Sequence, residues 1–281
     1  MESWLIAIII IFLLFQMIAL FMMLNNPLYF KNRNYTIPFG LDNGKQEKKK
    51  LNKIRYTLCY NPSLAIVKWT VLLHSWGRNS LRMVTRAEIY WENGYSLVFI
   101  DARSHGQSKY VRVSKAIDFA EDTVAILQEE KISMPVIHGL SFGSIAALFV
   151  ANNYETKALI GEAMATRFDV MFKDLLNYLH FPRIIFGWIP WLIMNWPWNF
   201  PWEIMHPEEV LKTITVPIFL IHGQDDSMFD FRDHYEPNKV SLKETDSFWL
   251  VEGSKHDKMA LNPLYHKKME KFIKQIDFQE S

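Results

Sequence analysis

The residues whose types and spacing can do chemistry stand at the ends of short apolar runs. Gly139-Leu140-Ser141-Phe142-Gly143 follows Met134-Pro135-Val136-Ile137 and His138, and precedes the small-residue stretch Ser144–Asn152. This is G-x-S-x-G between a strand and a helix. The turn it makes is sharp, so the serine Oγ stands clear of the sheet and a Cβ on either flank would collide with backbone. The helix N-terminus behind the serine favours negative charge that develops there. A serine hydroxyl is a weak nucleophile alone and needs a base within hydrogen-bond reach. A glycine-rich strand-to-helix turn with no catalytic role would carry the same five residues, so the other strand ends matter.

Four more apolar runs end in polar residues. Trp69–Leu73 leads to His74-Ser75-Trp76-Gly77, and Ser96–Ile100 to Asp101-Ala102-Arg103-Ser104-His105-Gly106-Gln107-Ser108. Pro217–Ile221 leads to His222-Gly223-Gln224-Asp225-Asp226, and Ser247–Val251 to Gly253-Ser254-Lys255-His256. Between the runs lie stretches of helical periodicity: Ser80–Glu92, Ala116–Glu130, Ser144–Asn152 and Pro263–Phe278. Ala158–Ile160 is one more strand. Strands alternating with helices predict a mostly parallel, doubly wound α/β sheet covered on both faces. Ligands of such sheets bind beyond the carboxyl ends of the strands, where these clusters lie.

Together the clusters resemble the α/β-hydrolase superfamily, over residues 56–278. D-x-R-x-H-G-x-S, G-x-S-x-G, H-G-x-x-D and G-x-x-H stand in that order, and Ser, Asp, His is the triad order of the fold. The resemblance implies Ser141 as nucleophile, His256 as general base and Asp226 as the acid that orients it, with the adjacent Asp225 as the alternative. It also implies oxyanion N–H groups from Phe142 and from the His74–Gly77 loop, at Trp76. The common His-Gly of that loop is His74-Ser75 here, and a left-handed backbone at Ser75 would be strained. His74, His138 and His222 read as packing or loop-shaping residues, and Arg103 and His105 as fixing the turn after their strand. A serine at the elbow disfavours the aspartate-nucleophile chemistry of related dehalogenases and epoxide hydrolases.

Two segments fall outside this frame. Trp4–Leu24 carries no charge, and Gln16 is its one strongly polar residue. Helical, it would span roughly 30 Å, the thickness of a bilayer core. No basic residue precedes it and no A-x-A-like site follows, so residues 1–24 are expected to be a retained transmembrane anchor, not a cleaved signal. Residues 25–55 read as a basic juxtamembrane linker, and residues 56–281 as the catalytic domain. Lys31, Arg33, Lys45, Lys48, Lys49, Lys50, Lys53 and Arg55 follow the apolar run. By the positive-inside tendency, that predicts a single-pass membrane protein with a cytoplasmic domain. The second segment, about residues 165–211, has the position of a cap. It holds Trp188, Trp191, Trp196, Trp198 and Trp202, half of the chain's ten tryptophans. Trp188, Trp191 and Trp196 are the expected substrate contacts, lining a site for an acyl chain and touching the bilayer. The same rings would equally pack the cap onto the domain.

Composition excludes several classes. With 31 Lys+Arg against 30 Asp+Glu the net charge is +1, which gives nucleic acid no footprint. Cys59 is the single cysteine, so neither an intramolecular disulfide nor a cysteine-built metal site is possible. No P-loop or dinucleotide fingerprint occurs, and no metal or cofactor is expected. The leading expectation is a serine hydrolase of apolar, lipid-like acyl esters. A serine peptidase or aminopeptidase of the same fold and an inactive membrane-tethered binding domain are the alternatives.

Overall fold

The computed structural model describes residues 4, 6, 8–14, 35–40, 44–64, 67–111, 114–178, 206–244 and 246–278. Among them, eight strands form one sheet: β1 (Lys45–Leu51), β2 (Ile54–Tyr60), β3 (Lys68–Leu73), β4 (Tyr95–Ile100), β5 (Val136–Leu140), β6 (Ala158–Glu162), β7 (Ile218–Gly223) and β8 (Ser247–Val251). Their order is β1-β2-β4-β3-β5-β6-β7-β8. β4, β3, β5, β6, β7 and β8 run parallel, and the β1–β2 hairpin joins β4 antiparallel. Every residue of β4 (YSLVFI), β5, β6 and β7 is buried, as strands covered on both faces require.

The covering helices are α1 (Val84–Glu92), α2 (Ala116–Glu129), α3 (Phe142–Asn153), α4 (Phe168–Tyr178), α5 (Pro207–Thr213), α6 (Phe231–Val240) and α7 (Tyr265–Phe278). α2 buries Phe119, Ile126 and Leu127 in the same core cluster as Ile54, Tyr56 and Leu58 of β2. α7 places Tyr265, Met269, Phe272 and Ile273 on the other face of the sheet. α3 is buried from Gly143 through Val150, so its small residues admit the strands closely. The predicted strands and helices after residue 56 appear with ends shifted by a few residues.

The linker expectation needs correction. Lys45–Leu51, read as linker, is the edge strand of the sheet, paired from Lys45↔Tyr60 to Leu51↔Ile54. The domain therefore begins well before residue 56. An edge strand packs on one side only and tolerates lysines, which blunt the edge against further pairing. Its hydrophobic signal is correspondingly weak.

Residues 8–14 are helical, and Trp4, Ile8, Ile11 and Phe12 are more than half exposed. Among the described residues no helix is long and apolar enough to cross a membrane. The remainder of the expected anchor lies outside the described residues.

A buried carboxylate ties four elements together at the carboxyl end of the sheet. Glu162, the last residue of β6, is fully buried. Its Oε2 accepts Arg86 Nε at 2.9 Å and Nη2 at 2.6 Å, from α1. Its Oε1 accepts His138 Nε2 at 2.9 Å and the Tyr265 hydroxyl at 2.5 Å. With Nε2 donating, His138 Nδ1 is left to accept the Tyr90 hydroxyl at 3.1 Å. Burial alone would raise the Glu162 carboxyl. The Arg86 charge and the His138 hydrogen bond outweigh it and lower the pKa from its ordinary 4.5 to about 2.

Removing one partner of such a pair leaves the other charge buried and uncompensated, at a cost of about 3–5 kcal/mol. Glu162→Gln is therefore expected to lower the unfolding free energy by that order in a urea titration. The depressed pKa also sets a pH dependence. The unfolded chain takes up the Glu162 proton near 4.5 and the folded chain only near 2, so this contribution is present above pH 4.5 and is lost as pH falls toward 2. Urea midpoints measured across that window should fall in the wild type, with a smaller slope in Glu162→Gln.

Candidate active site

Ser141 sits between β5 and α3 with φ 54° and ψ −113°, a left-handed backbone rare for a residue with a Cβ. The flanking glycines make that turn possible. A Cβ on Gly139 would run into the Gly143 carbonyl, and one on Gly143 into the Leu73 and His74 carbonyls. The Ser141 N–H donates to the Glu162 carbonyl at 2.8 Å, and Ser144 Oγ donates to the Ser141 carbonyl at 2.5 Å. The elbow is thus pinned to β6 on one side and to its own helix on the other.

His256 lies in the loop after β8 and Asp226 in the loop after β7. His256 Nε2 is 2.8 Å from Ser141 Oγ, and His256 Nδ1 is 2.7 Å from Asp226 Oδ2. The carboxylate only accepts, so Nδ1 carries the proton and Nε2 presents its lone pair to the serine hydroxyl. Asp226 Oδ1 accepts the N–H groups of Met228 and Phe229, each at 2.9 Å. Oδ2 is also 3.3 Å from His222 Nε2, which donates to the Phe229 carbonyl at 3.0 Å. Burial would raise this carboxyl, but hydrogen bonds from His222 and His256 hold it well below the usual carboxylate range. Asp225, the alternative acid, is exposed, and its N–H is bonded to the Ser254 carbonyl. The Phe229 ring stands edge-on to His256 at 4.9 Å and limits its swing.

The loop after β3 lies against the elbow. The Trp76 ring meets Phe142 edge-on at 4.9 Å and His105 at 5.1 Å. Phe142 opens α3, so its N–H belongs to the first turn, where no intrahelical acceptor exists. Two imidazoles brace the loop. His74 Nε2 accepts the Ala102 N–H at 3.1 Å while Nδ1 donates to the Ser75 carbonyl. His105 Nε2 accepts the Gly77 N–H at 3.1 Å while Nδ1 donates to the Arg103 carbonyl. Burial, and then repulsion from His74, lowers the His105 pKa to about 3, so it stays a neutral brace. Gly77, not Ser75, takes the left-handed backbone (φ 70°), and the strain considered for Ser75 does not arise. Arg103 forks onto Asp122 at 2.7 and 2.9 Å, which fastens the turn after β4 to α2.

Ser141, His256 and Asp226 therefore meet in one hydrogen-bonded chain, with Phe142 and the Trp76 loop beside the serine. Trp188, Trp191 and Trp196 lie outside the described residues, and of the cap, residues 165–178 and 206–211 are described. Sequence reasoning missed Glu162, Arg86 and the contact of His222 with Asp226. A glutamate closing an otherwise apolar strand was the one available signal for the first. No group of three His, Cys, Asp or Glu side chains among the described residues is placed to hold a metal ion.

No family model matches the chain, and no curated protein matches it. Solved structures do. A lipase from Acinetobacter baumannii superimposes with a TM-score of 0.64 at 17% identity, over 84% of this chain and 93% of that one. A membrane phospholipase A, described as a bacterial virulence factor, gives 0.65 at 16% identity over 99% of both chains. An esterase from Pyrococcus furiosus gives 0.63 at 16% identity over 87% and 95%. At these identities the likeness is one of architecture, and the chain has the α/β-hydrolase fold.

Proposed function

We propose that this protein is a membrane-anchored serine hydrolase that cleaves esters of apolar acyl groups. The observation that carries the reading is the unbroken chain Ser141 Oγ–His256–Asp226, at 2.8 and 2.7 Å. Ser141 Oγ attacks the ester carbonyl carbon while His256 Nε2 takes its proton. The anionic Asp226 stabilises the imidazolium so formed. The negative oxygen of the tetrahedral intermediate is received by N–H groups of Phe142 and Trp76. Collapse breaks the bond to the alcohol oxygen, which leaves with the proton from His256 and leaves the acyl group on Ser141. Water then attacks with His256 again as base, the bond from the acyl carbon to Ser141 Oγ breaks, His256 returns the proton to Oγ, and the carboxylic acid departs.

An apolar acyl substrate is supported by the tryptophan-rich sequence of residues 188–202 and by the ester-cleaving proteins that share the fold. Membrane anchoring is supported by the uncharged run Trp4–Leu24 and by the exposed apolar side chains at residues 8–14. The likeness to the membrane phospholipase A extends over 99% of this chain, against 84% for the lipase. The basic residues after the run favour a cytoplasmic domain.

A fluorophosphonate probe should label the wild type in membrane fractions and leave Ser141→Ala unlabelled. A folded wild type that does not react would overturn the hydrolase reading and bring the inactive binding domain forward. Asp226→Asn should fold normally, because the amide oxygen still accepts from Met228 and Phe229. It would nonetheless favour the wrong imidazole tautomer, and kcat on a long-chain nitrophenyl ester should drop by about 10⁴. The full chain should stay in the membrane pellet after an alkaline carbonate wash, and release by that wash would exclude the spanning anchor.

A further inference from the structure

The β1–β2 hairpin carries an unneutralised cationic cluster at the catalytic end of the sheet. β2 runs antiparallel to β4 with Tyr56 opposite Ile100, so its first residues lie beside the carboxyl end of β4. Three backbone contacts gather the neighbouring cations there. The Arg55 carbonyl accepts the Asp101 N–H at 3.0 Å, the Arg55 N–H donates to Ser108 Oγ at 2.8 Å, and the Lys109 N–H donates to the Lys53 carbonyl at 2.8 Å. Lys50 stands directly opposite Arg55 in the hairpin. All four side chains are exposed.

Like charges placed directly across a strand pair are destabilising. Elsewhere the fold avoids this. Lys49, on the other face of the same strand, bridges Glu130 at 2.7 Å and Glu47 at 3.4 Å. For Lys50, Lys53, Arg55 and Lys109, no carboxylate among the described residues lies within ion-pair distance. Next to them Tyr110 is 45% exposed, a ring type suited to a headgroup layer.

The path of the chain identifies the anionic partner. The Tyr35 hydroxyl donates to the Asp101 carboxylate, so the polypeptide reaches the domain at its catalytic end, next to this cluster. Ten residues separate Leu24 from Tyr35, and the eleven Cα steps they span reach at most about 40 Å when extended. A bilayer that holds the N-terminal run therefore lies within about 40 Å of this rim.

We propose that Lys50, Lys53, Arg55 and Lys109 bind the headgroups of anionic phospholipid and so turn the catalytic end of the sheet toward the bilayer. The proposal rests on the anchoring reading above. Each cation held near an anionic surface favours the membrane by about fivefold, within a Debye length of about 8 Å. Ser141 would then take its ester from the same leaflet.

The test uses the full chain reconstituted in vesicles of phosphatidylcholine, with and without phosphatidylglycerol. A membrane-impermeant amine reagent and mass spectrometry read the reactivity of Lys50, Lys53 and Lys109 relative to Lys131. Lys131 is exposed and precedes β5, at the opposite end of the sheet. Phosphatidylglycerol is expected to lower the three ratios at least about fivefold, with recovery in high salt. In Lys53→Gln/Arg55→Gln/Lys109→Gln, with wild-type fluorophosphonate labelling in detergent, the protection of Lys50 should vanish. Flotation with phosphatidylcholine vesicles but equal ratios in both lipids would overturn the proposal and leave the anchor standing. Flotation only with phosphatidylglycerol would remove the spanning anchor and retain the headgroup site. Protection by millimolar inorganic phosphate in detergent would mark a soluble-anion site and overturn the assignment to lipid.

Discussion

Ser141 must hold a backbone conformation that its own side chain disfavours. A non-glycine residue in so sparsely populated a region costs about 1–3 kcal/mol and persists only where its surroundings over-determine it. Here they do. Two glycines let β5, α3 and the loop after β3 approach within backbone contact. The Ser141 N–H is held by the Glu162 carbonyl, and its carbonyl by Ser144 Oγ. Glu162 cannot shift, because its carboxylate is bound by Arg86, His138 and Tyr265. One residue thus joins the geometry of Ser141 to the packing of α1 and α7.

Two of the buried carboxylates, Glu162 and Asp226, do different work by the same physics. Glu162 is fully enclosed and matched by a fixed guanidinium, so its charge serves position alone. Asp226 has no arginine. Two main-chain N–H groups and two imidazoles keep it ionised, and one of those imidazoles, His256, retains access to solvent. His74, His138 and His222, in or just after β3, β5 and β7, are fully buried, and each has a ring nitrogen bonded to a neighbour. Among the described histidines, His256 alone combines partial exposure, a carboxylate on one nitrogen and a serine hydroxyl on the other.

The proposed membrane anchor and the proposed headgroup site together bear on substrate access. A long-chain acyl ester is poorly soluble in water, and in the proposed arrangement a site facing its own bilayer would remove the aqueous transfer step. The hairpin cations at that rim tolerate mutual repulsion that the rest of the fold avoids, a cost usually met at working surfaces.

Much was legible in the sequence because the signals are local. Strand-to-helix alternation follows from hydrophobic period, and the glycines around Ser141 follow from the sterics of a single turn. The order of the clusters at successive strand ends then placed Ser141, Asp226 and His256 at the carboxyl edge through resemblance to a known fold. Tertiary structure decided what depends on residues far apart in the chain. Ser141 and His256 are 115 positions apart and Arg86 and Glu162 are 76 apart, and no local pattern encodes such pairings. The choice between Asp225 and Asp226 turned on which carboxylate the β7 loop aims inward. Lys45–Leu51 looked like a solvated linker because an edge strand takes its order from backbone pairing with β2, which composition does not record.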